Sequence, residues 1–209
     1  SWQQIDLGYA TVIANRMTYV GELGWELVVP VEFTVGVYED LMLAGADSGI
    51  RDAGYYALEG LRLEKGFRAW SRELTPDISP FQAGLGFTVD FEKPCGFVGK
   101  EALLLAKINP EHMRTRVVQL VLDDDGPQLW GGEAVLCDGI EIGEVRSAAY
   151  GHSLGASVAL CHLTAKERIT VGFLKMHKFE IDLAGVKLSA KVCLKSPYDP
   201  ESERPKADG

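Results

Sequence analysis

Residues 19–30 read YVGELGWELVVP, and how this stretch folds decides what the N-terminal part of the chain can be. Gly21 and Gly24 bracket a turn, and β-branched and aromatic residues run away from it on both sides. A β-hairpin with arms at 10–20 and 25–29 is therefore expected. A turn at 21–24 would set Val20 opposite Trp25 and Tyr19 opposite Glu26. Directly opposed residues project from one face with Cβ atoms about 5 Å apart, so Tyr19, Glu26 and Val28 would share a face. Glu26 is the anomaly, because a carboxylate between Trp25 and Leu27 is costly in an apolar arm unless it meets donors. Two sources of donors are open. One is the protein itself, through backbone amides or Arg16. The other is a flat heterocycle resting beside the tyrosine, whose adjacent N–H groups match the two carboxylate oxygens.

The rest of the chain bounds the answer. With 209 residues, 46% apolar and 24% charged, it has the composition of a globular protein of one large or two modest domains. A net charge of −9 argues against general binding to nucleic acid or anionic membranes. No apolar run reaches the length of a membrane span and no leader pattern opens the chain, so a cytoplasmic location, or the mitochondrial matrix in a eukaryote, is expected. The chain enters directly into strand-like sequence at SWQQIDLGYATVIANRMTYV, which reads as part of something longer. Cysteines 95, 137, 161 and 193 are too sparse and too widely spaced for a disulfide framework. They read as small buried hydrophobes. Cys161 and His162 are adjacent, but neighbouring strand residues face opposite ways, so they make a poor metal or thiol–imidazole pair, and no metal site is expected.

After the hairpin, Phe33, Val37, Leu41 and Ala44 recur at helical spacing, with Gly45 and Gly49 to end the helix. A second helix is expected over about 55–70, burying Leu58, Leu61 and Phe67. TPDISPFQAGLG (75–86) is rich in turn formers. GKEALLLAKI (99–108) reads as a short helix, the last of the chain. From about Arg114 the pattern changes to RVVQLVL, EAVLC, IEIGEVR, SVALCHL and KLSAKVCL, punctuated by DDDG, WGG, DG and AG. Short strands with glycine turns predict an antiparallel sandwich or small barrel. The boundary is expected near residue 110, giving domains at 1–110 and 111–200. The proline-rich, charged end, SPYDPESERPKADG, reads as a loose strap with 201–209 as its tail.

Two further motifs compete for a functional reading. GHSLG (151–155) matches the G-x-S-x-G of a nucleophile elbow, but that motif needs a helix behind it. Here ASVALCHL reads as strand, so a barrel turn is the better interpretation. Arg62, Lys65, Arg68 and Arg72 form a basic series, the first three near one helical face. A solvated stripe is the expected reading, with a dock for an anionic ligand tail as the alternative.

Taken together, RMTYVGELGWELVVP, AGYYALEGLRLEKGFRAW, SPFQAGLGFTVDF and FVGKEALL resemble the aminomethyltransferase (glycine-cleavage T-protein) superfamily. The strongest likeness is to its flavin-fused branch of dimethylglycine and sarcosine dehydrogenases and oxidases. LWGGEAVLCDGIEIGEVRSAAYGHSLGASVAL and SPYDP resemble the C-terminal barrel of that branch. The resemblance runs over nearly the whole chain. It implies an α+β fold: the C-terminal part of the folate-binding aminomethyltransferase domain, followed by an antiparallel β-barrel or sandwich. It implies that tetrahydrofolate accepts a one-carbon unit from a methylated amine. In that scheme Glu26 receives the pterin N–H groups, and Tyr19, Leu27, Val28 and Phe87 line the pocket. The dehydrogenase branch usually has tyrosine where Phe87 stands. The T-protein proper has a folate-contacting arginine where Leu58 stands, and the flavin-fused branch has an apolar residue there. The family's catalytic aspartate and the FAD domain would precede Ser1, so no catalytic residue is expected within these 209 residues. The chain alone is expected to be inactive and to hold folate weakly, with a surface prone to self-association. A non-catalytic regulator on the same fold, similar to the regulatory subunit of pyruvate dehydrogenase phosphatase, is the alternative.

Overall fold

The structure is a computed structural model and describes residues 2–207. The chain forms two compact units, Ser1–Leu61 with Glu201–Gly209, and Arg62–Pro200. The division therefore falls inside a helix, at a different place from the boundary expected near residue 110.

The first unit is a three-stranded antiparallel sheet with a helix on one face. Its strands are β1 (Trp2–Leu7), β2 (Ala10–Arg16) and β3 (Trp25–Val28), in that spatial order. Ala10, Val12 and Ala14 alternate along one face of β2 and are buried. Ala10 and Val12 pack with Val37 and the half-buried Leu41 of α1 (Thr34–Ala44), and with Leu27 from β3. Period-2 burial on the strand meets a helical stripe, which is the physical content of the amphipathic pattern. Gly45 and a left-handed Gly49 close the helical region where the sequence placed its end.

The second unit is built on a closed six-stranded antiparallel barrel, ordered β4-β7-β6-β5-β8-β9. The strands are β4 (Thr115–Leu122), β5 (Ala134–Cys137), β6 (Ile140–Gly151), β7 (Ala156–Thr164), β8 (Phe179–Leu183) and β9 (Val186–Cys193). Closure pairs β4 with β9 and removes the exposed sheet edges. Val118, Leu120, Val135, Cys161, Leu163 and Ile181 fill the interior, all essentially inaccessible to solvent. Of the two architectures expected here, the barrel is the one formed. FEIDL, the seed of β8, went unread, and α3 (Lys100–Ile108) is not the last helix, because α4 (Val171–Met176) follows β7. Thr170 caps α4, its hydroxyl accepting from the Phe173 amide at 3.1 Å.

The helix that joins the two units, α2 (Tyr55–Glu64), ends six residues earlier than expected. Gly66 adopts φ +71° and the chain closes in a Schellman motif: Phe67 N–H donates to Arg62 O at 2.8 Å and Gly66 N–H to Leu63 O at 2.9 Å. The last turn of α2 lies against the barrel, with Leu63 packed on Val158 and Leu160. Gln119 of β4 donates from Nε2 to Leu63 O at 2.8 Å and Glu64 O at 3.0 Å, carbonyls past the last i+4 amide of the helix.

This packing overturns the solvated-stripe reading for Arg62 and Lys65, while Arg68 is half-buried and Arg72 exposed. Arg62 is fully buried, and its Nη1 lies 2.9 Å from Glu73 Oε2, itself fully buried. Lys65 is 6% exposed and bonds Asp199 Oδ2 at 2.8 Å and Asp199 O at 2.6 Å. Neither cation is available to an anionic ligand tail. Phe67, expected in the buried face, is only half-buried because the chain has already turned. Asp199 and Ser196, which donates to Glu64 O at 2.6 Å, pin a segment expected to be loose. Within the first unit, Arg204 Nε meets Glu22 Oε2 at 2.6 Å, so the described part of the tail is tethered there too.

Candidate functional site

The exposed face of the first unit's sheet carries Glu26. The pairing register sets Trp2, Asn15 and Glu26 in one row across the three strands and Gln4, Ile13 and Val28 in the next. Opposed residues share a face, so these six side chains form one continuous patch. Glu26 is exposed, and among the described residues its carboxylate makes no hydrogen bond or ion pair. The exposed carboxylate faces solvent, and no donor from the described residues competes with a ligand for it. Arg16, the internal partner considered above, instead donates from Nη2 to Ala207 O at 2.8 Å. Val28 is 47% exposed and Ile13 half-buried, giving the carboxylate an apolar flank.

Two details of the expected hairpin are corrected. Glu26 lies opposite Asn15, not Tyr19, because β2 ends at Arg16 and residues 17–24 form the connection. The cause is local: the Thr18 hydroxyl accepts from the Gly21 amide at 2.9 Å and the Val20 amide at 3.3 Å. Those amides are thereby withdrawn from a strand ladder, and the chain turns before Tyr19 can pair. Tyr19 sits in that connection, 39% exposed. Leu27 projects from the opposite face, opposite Ala14, and packs in the apolar cluster with α1. Its side chain supports the strand from behind and takes no part in the Glu26 patch. Phe87 belongs to the second unit, in a 3-10 turn at Gly86–Thr88, with 85% of its surface exposed.

The other sequence candidates resolve into structure. GHSLG is the turn between β6 and β7, as the strand-like sequence after it indicated. It is held by Glu64, which is 1% exposed: Oε1 accepts from the amides of Ser153 at 2.6 Å and Leu154 at 3.1 Å. The Ser153 hydroxyl donates to Oε2 at 3.2 Å, so the serine is part of a clamp between helix end and barrel. No local signal in the sequence pointed to this role, because Glu64 and Ser153 are far apart in the chain. His162 contacts Glu73 O through Nε2 at 2.9 Å while Cys161 faces the core, so the adjacent pair splits as expected. Burial pushes the Cys161 thiol well above its ordinary range. All four cysteines are free, but Cys95 is exposed and Cys193 half-buried, so only Cys137 and Cys161 are the buried small hydrophobes expected.

One grouping was invisible in sequence. Cys137, Asp138 and His177 bring their ligand-type atoms within 4.8 Å of one another. Asp138 Oδ2 and His177 Nδ1 lie 2.6 Å apart, and Oδ1 accepts from the Lys178 amide at 2.9 Å. The hydrogen bond from His177, with that amide's help, holds the Asp138 carboxyl below its usual value. The pair ties the β5–β6 turn to the chain entering β8. No helix among the described residues is long and apolar enough to cross a membrane.

The open Glu26 face and the barrel can now be set against known proteins. Residues 1–93 match the GCVT N-terminal domain and residues 115–199 the glycine cleavage T-protein C-terminal barrel domain. Over 197 residues the chain is 39% identical to 4-methylaminobutanoate oxidase (formaldehyde-forming) of Paenarthrobacter nicotinovorans, covering 94% of this chain and 23% of that protein. It is 38% identical to the mitochondrial sarcosine dehydrogenase of Homo sapiens, covering 93% of this chain and 21% of that one. The chain thus spans about a fifth to a quarter of the length of these relatives. The crystal structure of the glycine cleavage system aminomethyltransferase T from Bartonella henselae superposes with a TM-score of 0.73 at 26% identity, over 87% of this chain and 48% of that one. The chain belongs to the aminomethyltransferase (glycine-cleavage T-protein) superfamily and matches its sarcosine and dimethylglycine dehydrogenase branch.

Proposed function

We propose that this chain contributes a tetrahydrofolate-binding wall to a protein that passes a one-carbon unit from a methylated amine to folate. The observation that carries this reading is Glu26, a carboxylate on an open sheet face that no described protein group satisfies. A reduced pterin presents a ring N–H and an exocyclic amino group on one edge, and a carboxylate accepts two parallel bonds from such an edge. The residues present fit that group. Val28 and Ile13 offer apolar contact to the ring beside the acceptor, while Asn15 adds an amide able to donate or accept. Leu27 fixes the strand from behind, and Tyr19, in the connection, and Phe87 are further candidates carried by the family likeness. The oxidation that the relatives' names give is assigned to none of these residues. Bound folate would supply the amine that takes up the carbon, and the side chains here bind and orient it.

Because the face is open to solvent, the contact is screened and the chain by itself should bind tetrahydrofolate weakly. Glu26→Gln replaces one acceptor oxygen with a donor facing the ligand's donors. The affinity should fall roughly 10-fold, about 1.4 kcal/mol, near the low end for a charge-assisted bond. Equilibrium dialysis at millimolar tetrahydrofolate can measure this. Equal binding by the two proteins would remove Glu26 as the anchor. Absence of binding to either would favour a regulator that keeps the fold without the ligand.

A further inference from the structure

The barrel unit carries a concavity of about 260 Å³ whose lining includes Arg116, Arg168 and Lys107, together with Phe81, Met113 and Gly84. No carboxylate lines it. This is unexpected in a chain whose net charge is −9, since arginines that gather in a depression normally meet an acid there. The neighbouring cations of this protein do: Arg62 pairs with Glu73, Lys65 with Asp199 and Arg114 with Glu111. Arg116 and Arg168 do not. Among the described residues neither side chain makes a hydrogen bond or ion pair, and Arg116 Nε is buried without an acceptor.

A fourth cation approaches the same spot. Arg68, just beyond α2, donates from Nη1 to Gly66 O, and its Nη2 reaches towards Gly84. Gly84 has φ +75°, and the position its Cβ would occupy lies 3.0 Å from Arg68 Nη2 and 4.0 Å from Arg116 Nη2. A side chain here would crowd Arg68, so the glycine lets the two guanidinium groups converge beside this backbone. Burial and the like charge of Arg168 both hold Arg116 below the ordinary arginine value. Burial lowers Arg68 as well, opposed by Glu73 and reinforced by Arg116. Both guanidinium groups stay protonated at neutral pH, and since Arg116 and Arg168 have no carboxylate partner among the described residues, an anion would relieve the repulsion between those two. Lys107 is engaged over the Phe91 ring, 5.2 Å from its centroid, and adds charge at the rim.

We propose that this concavity binds a tetrahedral oxyanion, either inorganic phosphate or the phosphate group of a small metabolite, between Arg116, Arg168 and Arg68, beside Gly84. The planar forks of arginine suit the oxygens of a phosphate approached from several directions. A dianion also balances a cluster of three or four positive charges better than a single carboxylate does. The volume admits a phosphate group with room for a small organic substituent, and Phe81 and Met113 line its apolar side.

The test is calorimetric titration of the 209-residue protein with sodium phosphate, against sodium chloride at matched ionic strength. Phosphate should bind in or below the millimolar range, and chloride should give no saturable heat. Arg168→Gln, at an exposed position that does not support the core, should weaken phosphate binding roughly 10-fold, and Arg116→Gln by as much or more. Arg116→Lys, which keeps the charge but loses the fork, should fall between wild type and Arg116→Gln. Circular dichroism establishes that each variant is folded. A parallel titration with glycerol phosphate separates the sources. Tighter binding than inorganic phosphate identifies an organic phosphate, equal or weaker binding identifies the free ion, and either supports the site. Three results would overturn it: phosphate heats no greater than those of chloride, affinity unmoved in a folded Arg168→Gln protein, or tighter binding of glutarate than of phosphate.

Discussion

Replacing Arg62 by leucine is the sharpest test of how the second unit is held together. Arg62 Nη1 donates to Glu73 Oε2 at 2.9 Å and to Phe67 O at 3.0 Å, with no solvent access to the ion pair. Among the described residues the only other hydrogen bond to that carboxylate is from the Ala69 amide, at 2.8 Å to the same oxygen, while Oε1 has no partner. Arg62→Leu therefore leaves the buried carboxylate with the Ala69 amide as its one hydrogen-bond donor among the described residues and with only the Arg68 charge nearby. Breaking one partner out of a buried pair costs about 3–5 kcal/mol, far above the 0–1 kcal/mol of an exposed pair. For a chain of this size the melting temperature should fall by roughly 6–20 °C. Differential scanning calorimetry of the single variant and of an Arg62→Leu, Glu73→Met double variant gives the measurement. The double variant removes both charges and should recover much of the loss. A single-variant cost below about 1 kcal/mol, or a double variant worse than the single, would show that the pair is not the buried, uncompensated arrangement described.

Three further outcomes follow from the same geometry. Under native conditions a thiol reagent should modify Cys95 first and leave Cys161 and Cys137 unreacted until denaturant is added, since burial raises both of those thiols; mass spectrometry of the labelled peptides reads this, and early labelling of Cys161 would contradict its place in the core. Asp138 has its carboxyl lowered by His177, so what it contributes is fully present above the ordinary aspartate value of 3.8 and is lost as pH falls through the lowered one. Melting curves of wild type and Asp138→Asn should therefore differ at pH 6 and converge towards pH 2–3, whereas a constant difference across that window would rule out the linkage. Limited proteolysis tests our proposal of a domain boundary near residue 110: the first cut should fall at 109–112, leaving a resistant piece that begins near β4, while a first cut in the exposed stretch 49–56 would place the boundary at the Leu61–Arg62 division instead.

What could be read in advance depended on how local the determining contacts are. The α1 helix was legible because Val37, Leu41 and the two closing glycines lie within a few turns of one another. The barrel strands were legible for the same reason, each being a short apolar run ended by its own glycine turn. The end of α2 was misjudged although its signal is local: Gly66 in EKGF is the left-handed C′ residue, and the apolar pattern running on through Phe67 masked it. The fates of Arg62, Lys65 and Glu64 were not legible at all. Their partners Glu73, Asp199 and the Ser153 turn are set by the barrel packing against the helix, and a charged series on a helix reads as solvated unless that packing is known. The same holds for Asp138 with His177. The register of the Glu26 strand lay between these extremes, since the Thr18 hydroxyl that shortens β2 is a local competitor with the ladder that apolar alternation alone does not reveal.

The proposed function stands or falls on folate docking at the open face that carries Glu26. The most direct test is ¹⁵N-resolved NMR of the labelled protein titrated with tetrahydrofolate, a method that detects millimolar binding and locates it. Saturable shifts are expected at the amides of Asn15, Glu26 and Val28 and their row neighbours Ile13 and Gln4. Barrel residues such as Val118 and Leu160 should change little, and shifts throughout should be markedly smaller in Glu26→Gln. Shifts confined to other residues, or an identical map from the Glu26→Gln protein, would contradict it.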